Sequence, residues 1–178
     1  EGLVVSSACM AGEVATHLLN DNWDAAREAA AWYAELFKGR YYLEVQGHDS
    51  GSQAQLNERV FRLADEVGLP VVATNDAHFL KHDDHASHDV LLCIGLGKTV
   101  SEENRMHYDD GLYFKSASEM QERFPDRPDV LENTLRVAEE TGIEFTEKYH
   151  VRSFPLAPDV ASENDRLGRL TGEGARER

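Results

Sequence analysis

The stretch VVATNDAHFLKHDDHASHDVLLCIG, residues 71–95, decides how this chain is interpreted. It opens with a continuous apolar run, which is typical of a strand that is buried on both faces of a parallel sheet. The run ends at Thr74, and Asp76 and His78 follow almost directly. In parallel α/β proteins ligands bind beyond the carboxyl ends of the strands. This segment therefore predicts a buried strand that ends at a functional edge.

Two upstream segments repeat the pattern of a short apolar run followed by polar residues. The first predicts a strand at Leu3–Ser6, and the second, YYLEVQ, predicts a strand at residues 41–46. Helices are predicted between the strands at Trp23–Phe37 and Leu56–Val67, because apolar residues recur there at helical spacing. Strands that alternate with helices indicate the α/β class, with a parallel sheet or a (β/α) barrel.

The sequence after the third strand has a different character. LYFKS, residues 112–116, predicts one further short strand. Ser116 and Glu119 form a capping box that predicts the start of a helix. A longer helix is predicted from Pro128 to Glu140, since proline favours the first helical position.

Charge and cysteine content restrict the possible functions. The chain has 18 basic and 33 acidic side chains, a formal net charge of -15. Phosphate contacts need Lys and Arg, so we do not expect the chain by itself to bind DNA tightly. Cys9 and Cys93 are the only cysteines, which is typical of a reducing compartment, and Cys93 is predicted to be buried within an apolar run. No run approaches the roughly 18 apolar residues of a membrane span, so no membrane partner is expected.

Four metal-binding residue types follow the ends of the three predicted strands: Cys9, His48, Asp76 and His78. A thiolate, a carboxylate and imidazoles are typical ligands of zinc- and manganese-like metals. Asp76 and His78 project to the same side of an extended chain, so both can reach one ion. Two alternatives stay open. A lone cysteine after a strand is usually a small buried side chain, so Cys9 can also be interpreted in that way. Glu44 is consistent with either an inward-pointing carboxylate or a residue that supports the ligands.

His82, His85 and His88 are spaced by three, which would place them along one stripe of a helix. A separate metal site is one interpretation of this stripe. Lys and Asp residues lie between the histidines, however, and Asp83 or Asp84 is a natural N-cap. We therefore predict a solvated helix start with surface histidines, of which His88 packs at the edge of the helix.

Four stretches together resemble the alpha subunits of bacterial DNA polymerase III, from Gly2 to about Pro158. They are GLVVSSACMAGEV (2–14), YYLEVQGH (41–48), GLPVVATNDAHFLKHDDHASHDVLLCIGLGKTV (68–100) and YFKSASEMQERFPD (113–126) with its continuation PDVLENTLRVAEET (128–141). The resemblance is to the back half of the N-terminal PHP (polymerase and histidinol phosphatase) domain and to the segment that leads towards the polymerase core. We therefore expect the chain, which also starts without an initiator Met, to be a piece of a longer protein.

The resemblance implies a fold and a division into domains. The fold would be part of a distorted (β/α) PHP-type barrel, similar to amidohydrolases, followed by a mainly helical segment. Residues 1–100 would form the C-terminal half of the PHP domain, and residues 101–158 a connection towards the palm and thumb of the polymerase. Residues 159–178 are predicted to be a flexible tail.

The resemblance also implies a site and its cofactors. Cys9 in SSACMAGE matches the ligand cysteine of the family, and Asp76 and His78 match its final Asp-x-His ligand pair. These residues would bind Zn or Mn, with Asp76 as the catalytic candidate, in a site associated with phosphoester hydrolysis and 3′–5′ exonuclease proofreading. His48 matches no ligand. The other metal ligands are expected upstream and the polymerase carboxylates downstream, so the chain alone is predicted to be inactive.

The parent implied by the resemblance is a cytoplasmic DNA-directed DNA polymerase. It would use Mg for polymerisation and have DNA, dNTPs and other replicative subunits as partners. Two alternatives have a different character. The PHP barrel could be a catalytically silent scaffold for stability or subunit contacts, or the chain could belong to a free-standing PHP phosphatase.

Overall fold

The structure is a computed structural model that describes residues 2–48, 51–142, 145 and 155–177. The chain divides into two compact units, residues 1–142 and residues 143–178. The first unit is a mixed α/β structure with a small parallel sheet of three strands. The α/β class predicted from the sequence is therefore confirmed. The predicted domain limits at residues 100 and 158 concern a longer protein and stay a prediction.

The three strands lie in the order β1 (Val5–Ser6), β2 (Tyr41–Gln46) and β3 (Val71–Thr74), with β2 in the centre. Six α-helices accompany them among the described residues of the first unit: α1 (Glu13–Leu19), α2 (Trp23–Leu36), α3 (Gly51–Val67), α4 (His85–Leu96), α5 (Ala117–Arg123) and α6 (Pro128–Glu140). A 3-10 turn, His82–Asp84, precedes α4. The capping box predicted at Ser116 and Glu119 is present at the start of α5.

Some element boundaries differ from the sequence prediction. Strand β1 begins at Val5 rather than Leu3. Helix α3 begins at Gly51 rather than Leu56, because its polar first turn lacks the apolar spacing on which the prediction depended. Segment 112–116, predicted as a strand, contributes only an isolated bridge to the loop after β3. A single bridge is too short to count as a strand of the sheet.

The core lies between one face of the sheet and helices α1, α2 and α3, with further buried residues from α5 and α6. Leu43 and Val45 of β2 have no exposed surface, and their register partners Val71 and Ala73 of β3 belong to the same core. Burying a side chain of this size contributes about 1.5–3 kcal/mol. Alternate residues of a strand face opposite sides of a sheet, so Glu44, which lies between Leu43 and Val45, belongs to the opposite face.

Helix α6 covers the outer edge of β3. The Asn133 side-chain amide donates to the carbonyl oxygen of Val71 at 2.8 Å, and the Thr134 hydroxyl donates to that of Ala73 at 2.8 Å. These carbonyl groups have no strand partner on that side of β3. The side chains of α6 therefore satisfy the groups that an open edge would offer to another strand.

Helix α4 is apolar in sequence but only partly covered. Cys93 is buried, as predicted. Leu91 and Ile94 on the same helix are 67% and 73% exposed. None of the helices formed by the described residues combines the length and the apolar character that crossing a membrane requires.

The second unit contains helix α7 (Glu163–Glu177), in a region for which the sequence predicted no regular element. No residue of α7 is buried, and Leu167 and Leu170 are exposed. A helix without buried residues gains little from packing, so the predicted flexibility of this segment stays a prediction.

Candidate functional site

The loop after β1 presents Cys9 at the surface through a tight turn. Ala8 has a positive φ of 61°, and Cys9 is exposed. The Gly12 N–H donates to the Cys9 carbonyl oxygen at 2.8 Å and closes the turn. A Cβ atom at Gly12 would collide with the carbonyl oxygen of Ser7, so only glycine fits there. The sequence alternative of a buried Cys9 is therefore wrong.

The loop after β3 fixes the ring of His78. Nδ1 of His78 lies 2.9 Å from the Asp76 carbonyl oxygen, which can only accept a hydrogen bond. Nδ1 therefore carries the proton, and Nε2 of the neutral ring is the nitrogen able to bind a metal. The Asp76 carboxylate is near the same ring, with Oδ1 3.9 Å from Nδ1. Both side chains remain about one third exposed, at 29% for His78 and 33% for Asp76.

The same loop is held from the other side by the segment that follows α4. The His78 N–H donates to the Leu112 carbonyl oxygen at 2.8 Å, and the Phe114 N–H donates to the Phe79 carbonyl oxygen at 3.1 Å. These bonds form a short parallel bridge between Phe79 and Tyr113, beyond the last residue of β3. They limit the movement of the backbone that carries Asp76 and His78.

Backbone strain is concentrated in these two loops. Non-glycine residues rarely adopt a positive φ, and such strain often occurs at functional sites. Among the described residues three non-glycine positions have a positive φ: Ala8, Asp21 and Asp76, the last with a φ of 53°. Two of these three lie next to or at a predicted metal ligand, each within two residues of a strand end.

The end of β2 is occupied by a hydrogen-bonded group. Asn57 of α3 accepts from the Gln46 N–H at 3.3 Å and donates to the Gln46 carbonyl oxygen at 2.8 Å. Nε2 of His48 lies 3.3 Å from Oε1 of Gln46. His48 is therefore held against the end of β2, and it stays a candidate near the site rather than a ligand.

Glu44 connects all three strands, a role that sequence reasoning left undecided. Its carboxylate accepts from the Ser6 hydroxyl of β1 and, at 2.6 Å, from the Thr74 hydroxyl of β3. Its N–H donates to the Ser7 hydroxyl at 2.9 Å. The strand register is the signal that identifies this contact, and it is not evident from the sequence alone.

The structure corrects the prediction of a surface position for His85, whereas His88 packs at the edge of the helix as predicted. Both are half-buried. Nε2 of His85 lies 3.0 Å from the Tyr108 carbonyl oxygen, and the His88 ring centroid lies 5.3 Å from that of Phe79 and 6.1 Å from that of His78. They pack in an aromatic cluster beside His78, because the chain after α4 returns to this edge. His82 is 60% exposed, as predicted for a surface histidine.

An internal ion pair fixes the N-terminal half of α4. The Nη1 and Nη2 atoms of Arg105 each lie 2.6 Å from a carboxylate oxygen of Asp89, in a two-point contact. The Arg105 side chain is 3% exposed. Hydrogen bonding from Arg105 lowers the pKa of Asp89, and the same contact raises the pKa of Arg105. Both groups therefore stay charged in the folded state.

The donor set fits a zinc- or manganese-like metal in its chemistry, but the described residues do not complete a site. No three His, Cys, Asp or Glu side chains among residues 2–48, 51–142, 145 and 155–177 lie close enough to hold one ion. Cys9 follows β1 whereas Asp76 and His78 follow β3, and β2 lies between them. Two strand spacings amount to about 10 Å. Further donors would be needed beside each of the two loops.

The chain is similar both to a known domain family and to individual known proteins. A model of the PHP domain matches residues 1–48. The chain is 37% identical over 156 residues to DNA polymerase III subunit alpha of Campylobacter jejuni, a match that covers 82% of this chain and 13% of the relative. The segment that carries Cys9 therefore lies within the part matched by the PHP domain.

Two further relatives are matched over almost the whole chain. The chain is 34% identical over 180 residues to DNA polymerase III subunit alpha of Pseudomonas fluorescens, which covers 100% of the chain and 15% of the relative. It is 38% identical over 181 residues to the same subunit of Neisseria meningitidis serogroup B, which covers 99% of the chain and 16% of the relative. The chain thus spans about one seventh of the length of the curated relatives it matches.

Proposed function

Because this chain is homologous to a segment of DNA polymerase III alpha subunits, we propose that it forms part of such a subunit and acts in bacterial DNA replication. The segment is the C-terminal half of a PHP domain, built as part of a distorted (β/α) barrel. The parent is a cytoplasmic DNA-directed DNA polymerase that uses Mg and binds DNA, dNTPs and other replicative subunits. The polymerase carboxylates and basic DNA-binding surfaces lie elsewhere in that parent, which suits the net charge of -15 of this segment.

The domain carries a metal-dependent phosphoesterase site that acts as a 3′–5′ exonuclease. The observation that supports this is the pair formed by Asp76 and His78 after β3. The Nδ1–H of His78 donates to a backbone carbonyl at 2.9 Å, as metal-binding histidines usually do. When bound, a Zn or Mn ion would lower the pKa of a water molecule and stabilise charge on a phosphodiester.

Three residues of the chain would have different roles at that site. His78 would bind through Nε2, the nitrogen that its backbone contact leaves unprotonated. Cys9 would supply a thiolate from the exposed turn after β1. Asp76 would bind a metal and orient the attacking water, since its carboxylate is partly exposed beside His78. The segment alone is inactive because it holds too few donors, and the remaining ligands come from other parts of the parent.

The experiment is a nuclease assay of the complete alpha subunit with Zn or Mn, and after removal of metal with a chelator. Asp76→Ala is expected to lower exonuclease activity at least about 100-fold, because even the outer partners of metal ligands contribute about 10- to 100-fold. DNA polymerisation should be retained. His82→Ala, an exposed histidine eight residues along the chain from the end of β3, is the matched control and should leave both activities unchanged.

A second candidate is a PHP scaffold without catalysis, which serves stability or subunit contacts. It is favoured by one observation: backbone hydrogen bonds to Leu112 and Phe114 already fix the loop that carries Asp76 and His78, with no need of a metal. Unchanged exonuclease activity in Asp76→Ala, or no metal-dependent activity in the unmodified subunit, would favour the scaffold. The three relatives compared above are all polymerase subunits matched beyond residue 100, which argues against a free-standing PHP phosphatase.

A further inference from the structure

We infer that Glu44 is a positioning residue that sets the separation between the Cys9 loop and the loop of Asp76 and His78. This inference rests on the proposed metal site and deepens it. Glu44 lies on β2, the strand that separates the two loops. It is half-buried, and alternation along β2 places it on the face opposite the core residues Leu43 and Val45.

The contacts of Glu44 reach both loops near their origin. One carboxylate oxygen accepts from Ser6, the last residue of β1, and the other accepts from Thr74, the last residue of β3, at 2.6 Å. Ser6 lies three residues before Cys9, and Thr74 lies two residues before Asp76. A single carboxylate on the central strand thus links the side chains of the two outer strands, which lie two strand spacings, about 10 Å, apart.

The charge of Glu44 makes this connection stronger than a neutral one. Hydroxyl groups that donate to a carboxylate form shorter and stronger bonds than hydroxyl groups that donate to neutral acceptors. The Glu44 N–H adds a third contact, to the Ser7 hydroxyl at 2.9 Å, so β1 is tied to β2 by side chain and backbone together. A metal site tolerates little error in ligand position, so holding the ligand-bearing elements rigid is a separate requirement from supplying the ligands.

The carboxylate is already engaged on both oxygens by hydroxyl donors. A ligand would have to lose these bonds to bind a metal, whereas a positioning residue depends on them. Gln at this position can keep both contacts: its amide oxygen accepts from Thr74, and its amide nitrogen donates to the oxygen of Ser6. Ala can keep neither. The two substitutions therefore separate positioning from direct metal binding.

The test is cobalt(II) binding by the complete alpha subunit, followed by the absorption that a thiolate ligand such as Cys9 produces. Glu44→Ala should weaken cobalt binding about 10- to 100-fold and reduce the thiolate band, as expected for an outer partner of metal ligands. Glu44→Gln should stay within a few-fold of the unmodified protein. Thr74→Val, which replaces the hydroxyl that bonds to Glu44 by a methyl group of similar size, should behave like Glu44→Ala. Glu28→Ala, on the exposed face of α2, is the control.

Three outcomes would overturn the inference. If Glu44→Ala binds cobalt with unchanged affinity and spectrum, Glu44 does not position the ligands. If Glu44→Gln loses binding as completely as Glu44→Ala, Glu44 is a ligand instead. If the unmodified subunit shows no thiolate band at all, the proposed metal site fails, and this inference fails with it. Thermal denaturation of the metal-free variants shows whether a variant has lost its fold. If Glu44→Ala has lost its fold, cobalt binding by Thr74→Val tests the inference in its place.

Discussion

The sheet and helix α4 have similarly apolar sequences but opposite environments. Leu43 and Val45 of β2 are completely buried, whereas Leu91 and Ile94 of α4 are mostly exposed. Strand β2 has a neighbouring strand on each side and helices over one face. Helix α4 is held mainly at its N-terminal half, by the contacts of His85, His88 and Asp89. An apolar residue is buried only where another element supplies the opposing surface.

This difference predicts two kinds of stability within one unit. The sheet depends on packing of many apolar side chains, and its loss would be global. The position of α4 depends on a small number of polar and aromatic contacts, and their loss would be local. Regions with few buried apolar contacts open at lower free energy than the core of the same protein.

The largest expected effect is on the core of the sheet. Leu43→Ala should lower the free energy of unfolding by about 2 to 5 kcal/mol, because it removes buried methyl groups and leaves a cavity. Ile94→Ala should change it by no more than about 0.5 kcal/mol, since Ile94 is mostly exposed. Urea denaturation of the 178-residue chain measures both. Equal losses of unfolding free energy for the two variants would mean that Ile94 is buried in solution, and would contradict the contrast between β2 and α4.

The next effect is local and concerns the ion pair under α4. Arg105→Ala leaves Asp89, whose side chain is 19% exposed, without its charged partner. Hydrogen exchange of the amides of α4 should become faster, whereas exchange in β2 should not change. Arg136→Ala is the control, because it removes an exposed pair with Glu140 on α6. Faster exchange throughout the sheet would show that the two regions unfold together.

Acidification should weaken the contacts of α4 and of the neighbouring segment 112–119 more than the apolar contacts of β2. Hydrogen bonds from Ser116 and Tyr113 lower the pKa of Glu119 from 4.5 to about 2. A lowered folded-state pKa stabilises the fold above the unfolded pKa, and that contribution is lost as the pH falls from about 4.5 towards 2. The pKa of Asp89 is lowered as well, so the α4 contacts weaken in the same direction. The buried apolar contacts of β2 do not titrate, although Glu66 of α3 and Asp129 of α6, on helices beside the sheet, also have a lowered pKa through hydrogen bonds from other side chains.

NMR amide shifts recorded from pH 6 to pH 2 would test this. Resonances of residues 112–119 and of α4 should move as the pH falls from about 4.5 towards 2, whereas those of the buried residues of β2 should keep their positions unless the chain unfolds. Glu119→Gln should remove most of the pH dependence at residues 112–119 and leave the dependence at Asp89 in place. Simultaneous loss of all resonances at one pH would contradict a separate response of the two regions.

The sequence predicted the strand ends well because they depend on local patterns. The three strands, the capping box at Ser116 and the buried position of Cys93 follow from apolar spacing and local hydrogen bonding. The resemblance to DNA polymerase III alpha subunits is confirmed by relatives at 34 to 38% identity. Each of these features can be identified within a short stretch or from the order of several such stretches.

Contacts between distant residues could not be predicted in the same way. Glu44 meets Ser6 and Thr74 only because the register of three strands brings them level, and their separations in sequence are 38 and 30 residues. The contact of His85 with Tyr108 depends on where the chain returns after α4. The distance between the Cys9 loop and the Asp76 loop follows from the strand order, which alternation of strands and helices leaves open.

The smallest expected effect tests strain at the functional edge of the sheet. Ala8 has a φ of 61°, a conformation that costs an L-residue about 1 to 2 kcal/mol. Glycine adopts it freely but loses about 0.5 to 1 kcal/mol of chain entropy on folding. Ala8→Gly should therefore stabilise the chain by up to about 1 kcal/mol, whereas Ala54→Gly, at an exposed position of helix α3, should destabilise it by about 1 kcal/mol.

The stability change of Ala8→Gly, together with its effect on metal binding, shows whether backbone strain at Ala8 serves to position Cys9. If Ala8→Gly stabilises the fold and also weakens cobalt binding in the complete subunit, the strain holds Cys9 in place at the expense of stability, as expected at a functional site. If it stabilises the fold without any effect on binding, the turn is strained for a reason unrelated to the metal. If it destabilises the chain as much as Ala54→Gly does, Ala8 is not strained. The turn before Cys9 would then carry no backbone strain, and strain there would no longer support a functional site at this edge of the sheet.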